Sequence, residues 1–318
     1  MKEEIIRLKD VKKYFWISEG IIRKKKSCIK AVDGISFTIY KGEVIALVGE
    51  SGCGKTTLGR ILVGLEEPTE GEIFFKNKRI SFKDKNTRKK IQMIFQDPYA
   101  SLNPKMKVGE HLIEPLFIHF KDITKQEAKE MALKFLKEVG LTPEETFFDR
   151  YPYQLSGGQR QRVVIARAMI LHPEFVVADE AVSMIDVSLR ASILELLIKF
   201  NKMYQLSMLF ITHDISTAKI IGDRLGVMYL GNLVELGPVR KVIYNPKHPY
   251  TMALLSAIPS VTKKRFEFQI KGEIANPKNP PSGCKFHPRC PFAKRECKVH
   301  VPSLLGETHL VACHYPIS

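Results

Sequence analysis

The sequence predicts an α/β fold with a β-rich N-terminal portion, and three observations carry that reading. Short apolar runs at residues 44–48, 91–95, 175–178 and 208–211 have the length and composition of buried parallel strands. Segments of helical pattern lie between them. Two glycine-bearing loops, residues 49–56 and 155–159, lead directly into helical segments. At 318 residues the length suggests about two domains, and 44% hydrophobic content is enough for a packed core.

In chain order, residues 5–16 end in the aromatic cluster Tyr14, Phe15, Trp16, followed by the basic stretch Arg23, Lys24, Lys25, Lys26. Ile35, Phe37 and Ile39 alternate with polar neighbours as a half-buried strand, and Lys41 and Gly42 turn the chain into the run 44–48. That run meets Gly49, Glu50, Ser51, Gly52, Cys53, Gly54, Lys55, Thr56, and a helix is predicted over 55–65. Glycines let successive N–H groups point inward as an anion nest, and the helix N-terminus adds partial positive charge. Triphosphate fits such a loop: Lys55 would reach the β- and γ-phosphates, Thr56 would bind Mg²⁺, and Thr57 would lie near the α-phosphate. A base needs an apolar face to stack on; Tyr14 and Phe15 are the candidates, although core packing explains an aromatic cluster equally well.

A hairpin follows over 71–81, with 73–75 and 79–82 flanking Lys76, Asn77, Lys78. The strand 91–95 ends at Gln96, at the edge where open α/β sheets bind ligands. Thr124 with Glu127 forms a capping box; Ala128, Met131, Phe135, Leu136 and Val139 make one apolar face, and Gly140 ends the helix. A helical insert therefore interrupts the sheet. Within it, Leu155, Ser156, Gly157, Gly158, Gln159 precede a helix over 160–169, a second anion site. The strand 175–178 ends in Asp179, suited to an outer-sphere contact with Mg²⁺, and Glu180, suited to orienting or deprotonating an attacking water. Asp186 precedes a helix over 188–204, and the strand 208–211 ends in Thr212, His213, Asp214, where His213 suits a hydrogen bond to the γ-phosphate.

Residues 49–56, Gln96, 155–159, 175–180, Asp186 and His213, in that order, resemble the nucleotide-binding subunit of ATP-binding cassette (ABC) transporters. The resemblance covers about residues 1–240 and implies a P-loop NTPase (RecA-like) core with an N-terminal antiparallel β subdomain. It also implies a helical signature subdomain at about 97–172. By it the loops are the Walker A, Q-loop, signature, Walker B with catalytic Glu180, D-loop and H-loop, and Phe15 falls at the adenine-stacking position. Gln96 joins Thr56 and Asp179 around Mg²⁺. Two subunits, identical or homologous, would dimerise head to tail, with ATP between the Walker A of one and the signature of the other. The family's proline after the glutamate is Ala181 here, and its Ser-Ala-Leu-Asp is Ser183, Met184, Ile185, Asp186. Asp179, Glu180 and Asp186 are intact, so competence is expected.

Past a hairpin around Gly231 and Asn232 come Asn245, Pro246, Lys247, His248, Pro249, Tyr250, Thr251, then Leu254, Leu255, Ala257 and Pro259. This is similar to the tail of the oligopeptide and dipeptide importer ATPases, a subgroup that includes nickel importers, and it extends the resemblance through 241–318. The implied partners are two transmembrane permease subunits and, indirectly, an extracytoplasmic peptide-binding receptor. Cys284, Cys290, Cys297 and Cys313 are separated by five, six and fifteen residues. Residues 1–10 read as too charged for a signal peptide, so a cytoplasmic chain is expected, and there four clustered thiols argue for metal. The gaps are wider than the usual zinc pairs and differ from the common ferredoxin spacing. The resemblance favours a [4Fe-4S] cluster, with zinc or reduced thiols as alternatives, and hence a C-terminal metal-binding extension.

The formal charge of +16 is uneven. Residues 1–30 and 261–318 each hold ten basic and four acidic groups, leaving +4 for the middle 230 residues. A nucleic-acid groove would concentrate charge on the core, so solvated extensions or membrane proximity are expected rather than nucleic acid. No stretch approaches the roughly 18 uncharged apolar residues of a membrane span. A peripheral place on the cytoplasmic side of the membrane is expected. The rivals are a soluble cassette remodelling nucleic acid or ribosomes and an importer of nickel or another small solute.

Overall fold

The computed structural model describes residues 2–19, 25–256, 272 and 275–317. Arg23 and Lys24 of the basic stretch, and Ala257 and Pro259 of the tail motif, lie outside them. The strands in chain order are β1 Glu4–Glu19, β2 Lys25–Tyr40, β3 Val44–Val48, β4 Glu70–Phe75, β5 Lys78–Arg79 and β6 Ile91–Ile94. They continue as β7 Phe175–Asp179, β8 Ser207–Ile211, β9 Arg224–Tyr229, β10 Asn232–Pro238 and β11 Leu310–Val311. The chain falls into two compact units, one of residues 1–6, 39–43 and 75–209, the other of residues 7–38, 44–74 and 210–318. Among the described residues no helix is long and apolar enough to cross a membrane.

In the first unit, β6 pairs in parallel with β7, Ile91 opposite Phe175 and Ile94 opposite Ala178. Every residue of β7 is buried, as the continuous apolar run requires. The helical insert follows from local chemistry. Thr124 Oγ1 accepts from Glu127 N at 3.2 Å and Glu127 Oε2 accepts from Thr124 N at 2.8 Å, opening the helix Lys125–Glu138. Its buried face is Ala128, Ala132, Phe135 and Leu136; Met131 is only half-buried, so Ala132 takes the position expected for it. The helix Val108–His119 is obscured in sequence by Pro115. Its Gly109 is explained by packing, since a Cβ there would lie 2.4 Å from the Phe148 ring.

In the second unit the strand order is β11-β10-β9-β3, with β3 and β9 parallel and β10 antiparallel to both neighbours. A smaller sheet has the order β2-β1-β4. The helix after β3 spans Lys55–Leu62 and stops short of residue 65. Gly64 takes φ 76°, its N–H donates to Ile61 O at 3.1 Å, and Leu65 N donates to Arg60 O at 2.9 Å. That Schellman closure satisfies the last carbonyls without continuing the helix.

The C-terminal region is built into this unit. Tyr250 and Phe286 join Ala46, Val48, Val227, Tyr229 and Val234 in one buried cluster. Glu235, fully buried, accepts from Lys247 N at 2.8 Å and His248 N at 3.0 Å, and lies 2.6 Å from His309 Nε2. A buried carboxylate is tolerated only with such partners, so Glu235 ties two segments, around residues 247–248 and His309, to β10.

Candidate nucleotide site

The second unit holds the phosphate loop. Gly54 has φ 104° and a Cβ there would lie 1.9 Å from Ala31 O, so only glycine fits. The turn between β9 and β10 backs the loop, Gly231 N donating to Cys53 O at 2.9 Å. Lys55 is buried, and its Nζ donates to Gly49 O at 2.7 Å, Glu50 O at 3.0 Å and Cys53 Sγ at 3.6 Å. Burial pushes the Cys53 thiol up, so it stays neutral. A buried ammonium whose partners among the described residues are uncharged atoms of its own loop is poised to exchange them for an anion. Thr56 and Thr57 follow on the first helical turn, both half-buried.

Tyr14 and Phe15 differ in availability. The Tyr14 hydroxyl donates to Asp33 Oδ1 at 2.5 Å, and burial together with that bond raises its pKa well above the usual phenol range. Phe15 is 36% exposed, with Lys13 Nζ 5.1 Å from its ring centroid, and offers an open face for a base. His213 is exposed after β8, while the neighbouring Asp214 caps the following helix by accepting from Ser216 N at 2.8 Å.

The first unit holds the other candidates. Asp179 is buried at the end of β7, and Glu180 follows with a left-handed φ of 47°. Gln96 Nε2 donates to Glu180 Oε2 at 2.9 Å, so two residues 84 positions apart in sequence share one hydrogen bond. Ser156 caps the helix Gly157–Met169: its Oγ accepts from Gln159 N at 3.3 Å, and Gln159 Oε1 accepts from Ser156 N at 3.0 Å. Asp186 precedes the helix Val187–Tyr204 and accepts through its main-chain oxygen from Leu189 N at 2.9 Å.

The metal-binding tail is corrected. Cys284, Cys290, Cys297 and Cys313 do come together, lining a cavity of about 10 Å³ with Phe286 and Phe292. That is room for about one water-sized sphere. Burial raises the Cys284 thiol and pushes those of Cys290 and Cys313 up to about 11. Among the described residues no group of three or more His, Cys, Asp or Glu is arranged to hold a metal ion. Neither the [4Fe-4S] cluster nor zinc is supported.

Sequence reasoning missed two contacts from the C-terminal region to the phosphate loop. Tyr250 Oη accepts from Glu50 N at 2.9 Å, and Arg289 forms a two-pronged pair with the Glu50 carboxylate. No local pattern announces a pair separated by 239 residues.

Comparison with known proteins bears on the family. Residues 32–183 match the family model for ABC transporters, and residues 234–297 match that for the oligopeptide/dipeptide transporter C-terminal region. The chain is 47% identical to the oligopeptide transport ATP-binding protein AppF of Bacillus subtilis, over 98% of each chain. The chain belongs to the ABC transporter ATP-binding family. It is 46% identical to the dipeptide transport ATP-binding protein DppF of Haemophilus influenzae, covering 96% of this chain and 94% of that one. A post-hydrolysis dimer of the cassette MJ0796 bound to ADP and Pi is similar at TM-score 0.65 and 30% identity, covering 74% of this chain and 99% of that one. As an ABC ATPase, this chain has the expected P-loop α/β cassette fold.

Proposed function

We propose that this ABC ATPase hydrolyses ATP to power import of di- and oligopeptides through a membrane transporter. It acts as a head-to-tail dimer beneath two permease subunits, peripheral on the cytoplasmic side, with an extracytoplasmic peptide-binding receptor as indirect partner. The observation that carries the nucleotide part is the buried Lys55 ammonium, held among the described residues by uncharged loop atoms. The names of its relatives support the peptide part. They do not favour a soluble remodelling cassette or a nickel importer.

In this reading Lys55 binds the β- and γ-phosphates, the loop N–H groups cradle the anion, and Phe15 stacks on adenine. Thr56, Asp179 and Gln96 would hold Mg²⁺, which needs few protein donors beside phosphates and waters. Bound Mg²⁺ would neutralise charge on the phosphates. Glu180 orients and deprotonates the attacking water, with Gln96 fixing one of its oxygens. His213 hydrogen-bonds the γ-phosphate. Ser156, Gly157, Gly158 and Gln159 supply the second anion site to the partner subunit's nucleotide, and Asp186 lines the dimer seam.

The test is Lys55→Ala, which should abolish ATP binding; normal affinity would sink the phosphate-loop assignment. For the transport reading, cells or proteoliposomes carrying the assembled importer should lose peptide uptake with the same substitution.

A further inference from the structure

The contacts between the phosphate loop and the C-terminal region have a geometry that bears on nucleotide binding. Arg289 donates from Nη1 to Glu50 Oε2 at 2.9 Å and from Nη2 to Glu50 Oε1 at 3.1 Å, a fork matched to a carboxylate. The Arg289 side chain is 9% exposed and that of Glu50 21%. Arg289 Nη1 also lies 3.4 Å from Tyr229 Oη, and Tyr250 Oη takes the Glu50 main-chain N–H. Lys285 adds a second tether, donating to Asp33 Oδ2 at 2.9 Å and to Leu230 O at 2.8 Å beside the loop's backing turn.

Glu50 is an awkward residue for a loop that must accept a polyanion. Its main-chain oxygen accepts from Lys55 Nζ, while its carboxylate carries a negative charge one residue from Gly49. Left alone, that carboxylate repels phosphate, and it competes for the Lys55 ammonium five residues on. We propose that Arg289 is a positioning residue for the phosphate loop: its fork on Glu50 neutralises and turns aside the carboxylate, making the C-terminal region part of the nucleotide site. The region then does more than extend the cassette. Its position decides whether the loop is receptive to triphosphate, giving the 275–317 segment a handle on ATP affinity. This inference rests on the nucleotide reading of the loop.

The two ideas separate experimentally in the full-length chain, with Mg·ATP binding read by calorimetry and the nucleotide-free thermal midpoint recorded alongside. Arg289→Ala should weaken Mg·ATP binding about tenfold, equivalent to about 1.4 kcal/mol. Adding Glu50→Gln to that variant should restore affinity to within about threefold of the parent, because the charge to be neutralised is gone. A packing defect alone would not be cured by a second substitution that removes an acceptor. Unchanged affinity in Arg289→Ala, or a double variant as weak as the single one, overturns the proposal. Should Arg289→Ala fail to fold, Arg289→Lys and Arg289→Gln carry the test: the charged variant must bind more tightly, and equal affinities overturn the proposal. A parent chain that does not bind Mg·ATP, or Lys55→Ala binding normally, defeats the nucleotide reading itself, whereas parental binding with Arg289→Ala unaffected defeats only this one.

Discussion

At the residue scale the chemistry turns on Glu180. Its left-handed φ of 47° is sterically unfavourable for a residue with a side chain, and Ser183 secures its carbonyl through N at 3.0 Å and Oγ at 2.9 Å. Gln96 donates to one of its carboxylate oxygens at 2.9 Å. Glu180→Gln should therefore retain ATP binding while lowering kcat at least about a hundredfold, the usual worth of a positioned base. Single-turnover hydrolysis checks it, and undiminished turnover removes Glu180 from this role. Lys55, Gln96, Ser156, Asp179 and Glu180 could be singled out in the sequence as candidates because the proposed chemistry demands particular residue types at particular distances from short strands. The Glu50–Arg289 pair was not, because it exists only once Phe286 and Tyr250 pack against β3 and β9. The four cysteines were legible as a cluster but misled as a metal site, since spacing does not report how the side chains are arranged or how little room lies between them.

At the scale of elements, two short segments have measurable weaknesses. The helix Gly157–Met169 begins with two glycines, poor helix formers, and depends on the reciprocal Ser156–Gln159 cap. Ser156→Ala should cost about 1 kcal/mol in the denaturant midpoint, the usual worth of such a cap. The helix Pro249–Ser256 is preceded by His248, which is fully buried and accepts from Tyr250 N on Nδ1 at 3.0 Å. The ring proton then sits on Nε2, which has no hydrogen-bond partner among the described residues. Burial pulls the His248 pKa down from 6.5 to about 4, outweighing the pull of Glu235 in the other direction. The unfolded chain takes up a proton below 6.5 that the fold refuses until about 4, so stability falls as pH drops through that window. The loss is on the order of 3 kcal/mol. Thermal midpoints between pH 7 and pH 4.5 should fall less steeply for His248→Asn, whose amide oxygen can still accept the Tyr250 N–H. Equal slopes would remove His248 as the cause. Element boundaries were less legible than element types: the helix expected to reach residue 65 closes at Leu62 because Gly64 takes φ 76°.

At the scale of the whole molecule, each chain carries two candidate anion-binding helix starts, at Lys55 in one unit and at Gly157 in the other. The proposed dimer assigns them to different nucleotides: each ATP takes the phosphate loop of one chain and the Ser156–Gln159 turn of its partner. This has a consequence that a one-chain site does not share. A Lys55→Ala chain has a damaged loop but an intact signature turn, and a Ser156→Arg chain has the reverse. Each alone should be nearly inactive in ATP hydrolysis. Mixed in equal amounts, half the dimers pair one of each, and every mixed dimer contains one composite site with both halves intact. If those sites work independently, turnover should recover to about a quarter of the parental rate per chain. Complementation should rise with protein concentration, because it requires association, and addition of ATP should shift Glu180→Gln from one chain to two by light scattering. A mixture no more active than its components would mean that each chain completes its own site, and the head-to-tail arrangement would have to be abandoned even with the ATPase assignment intact.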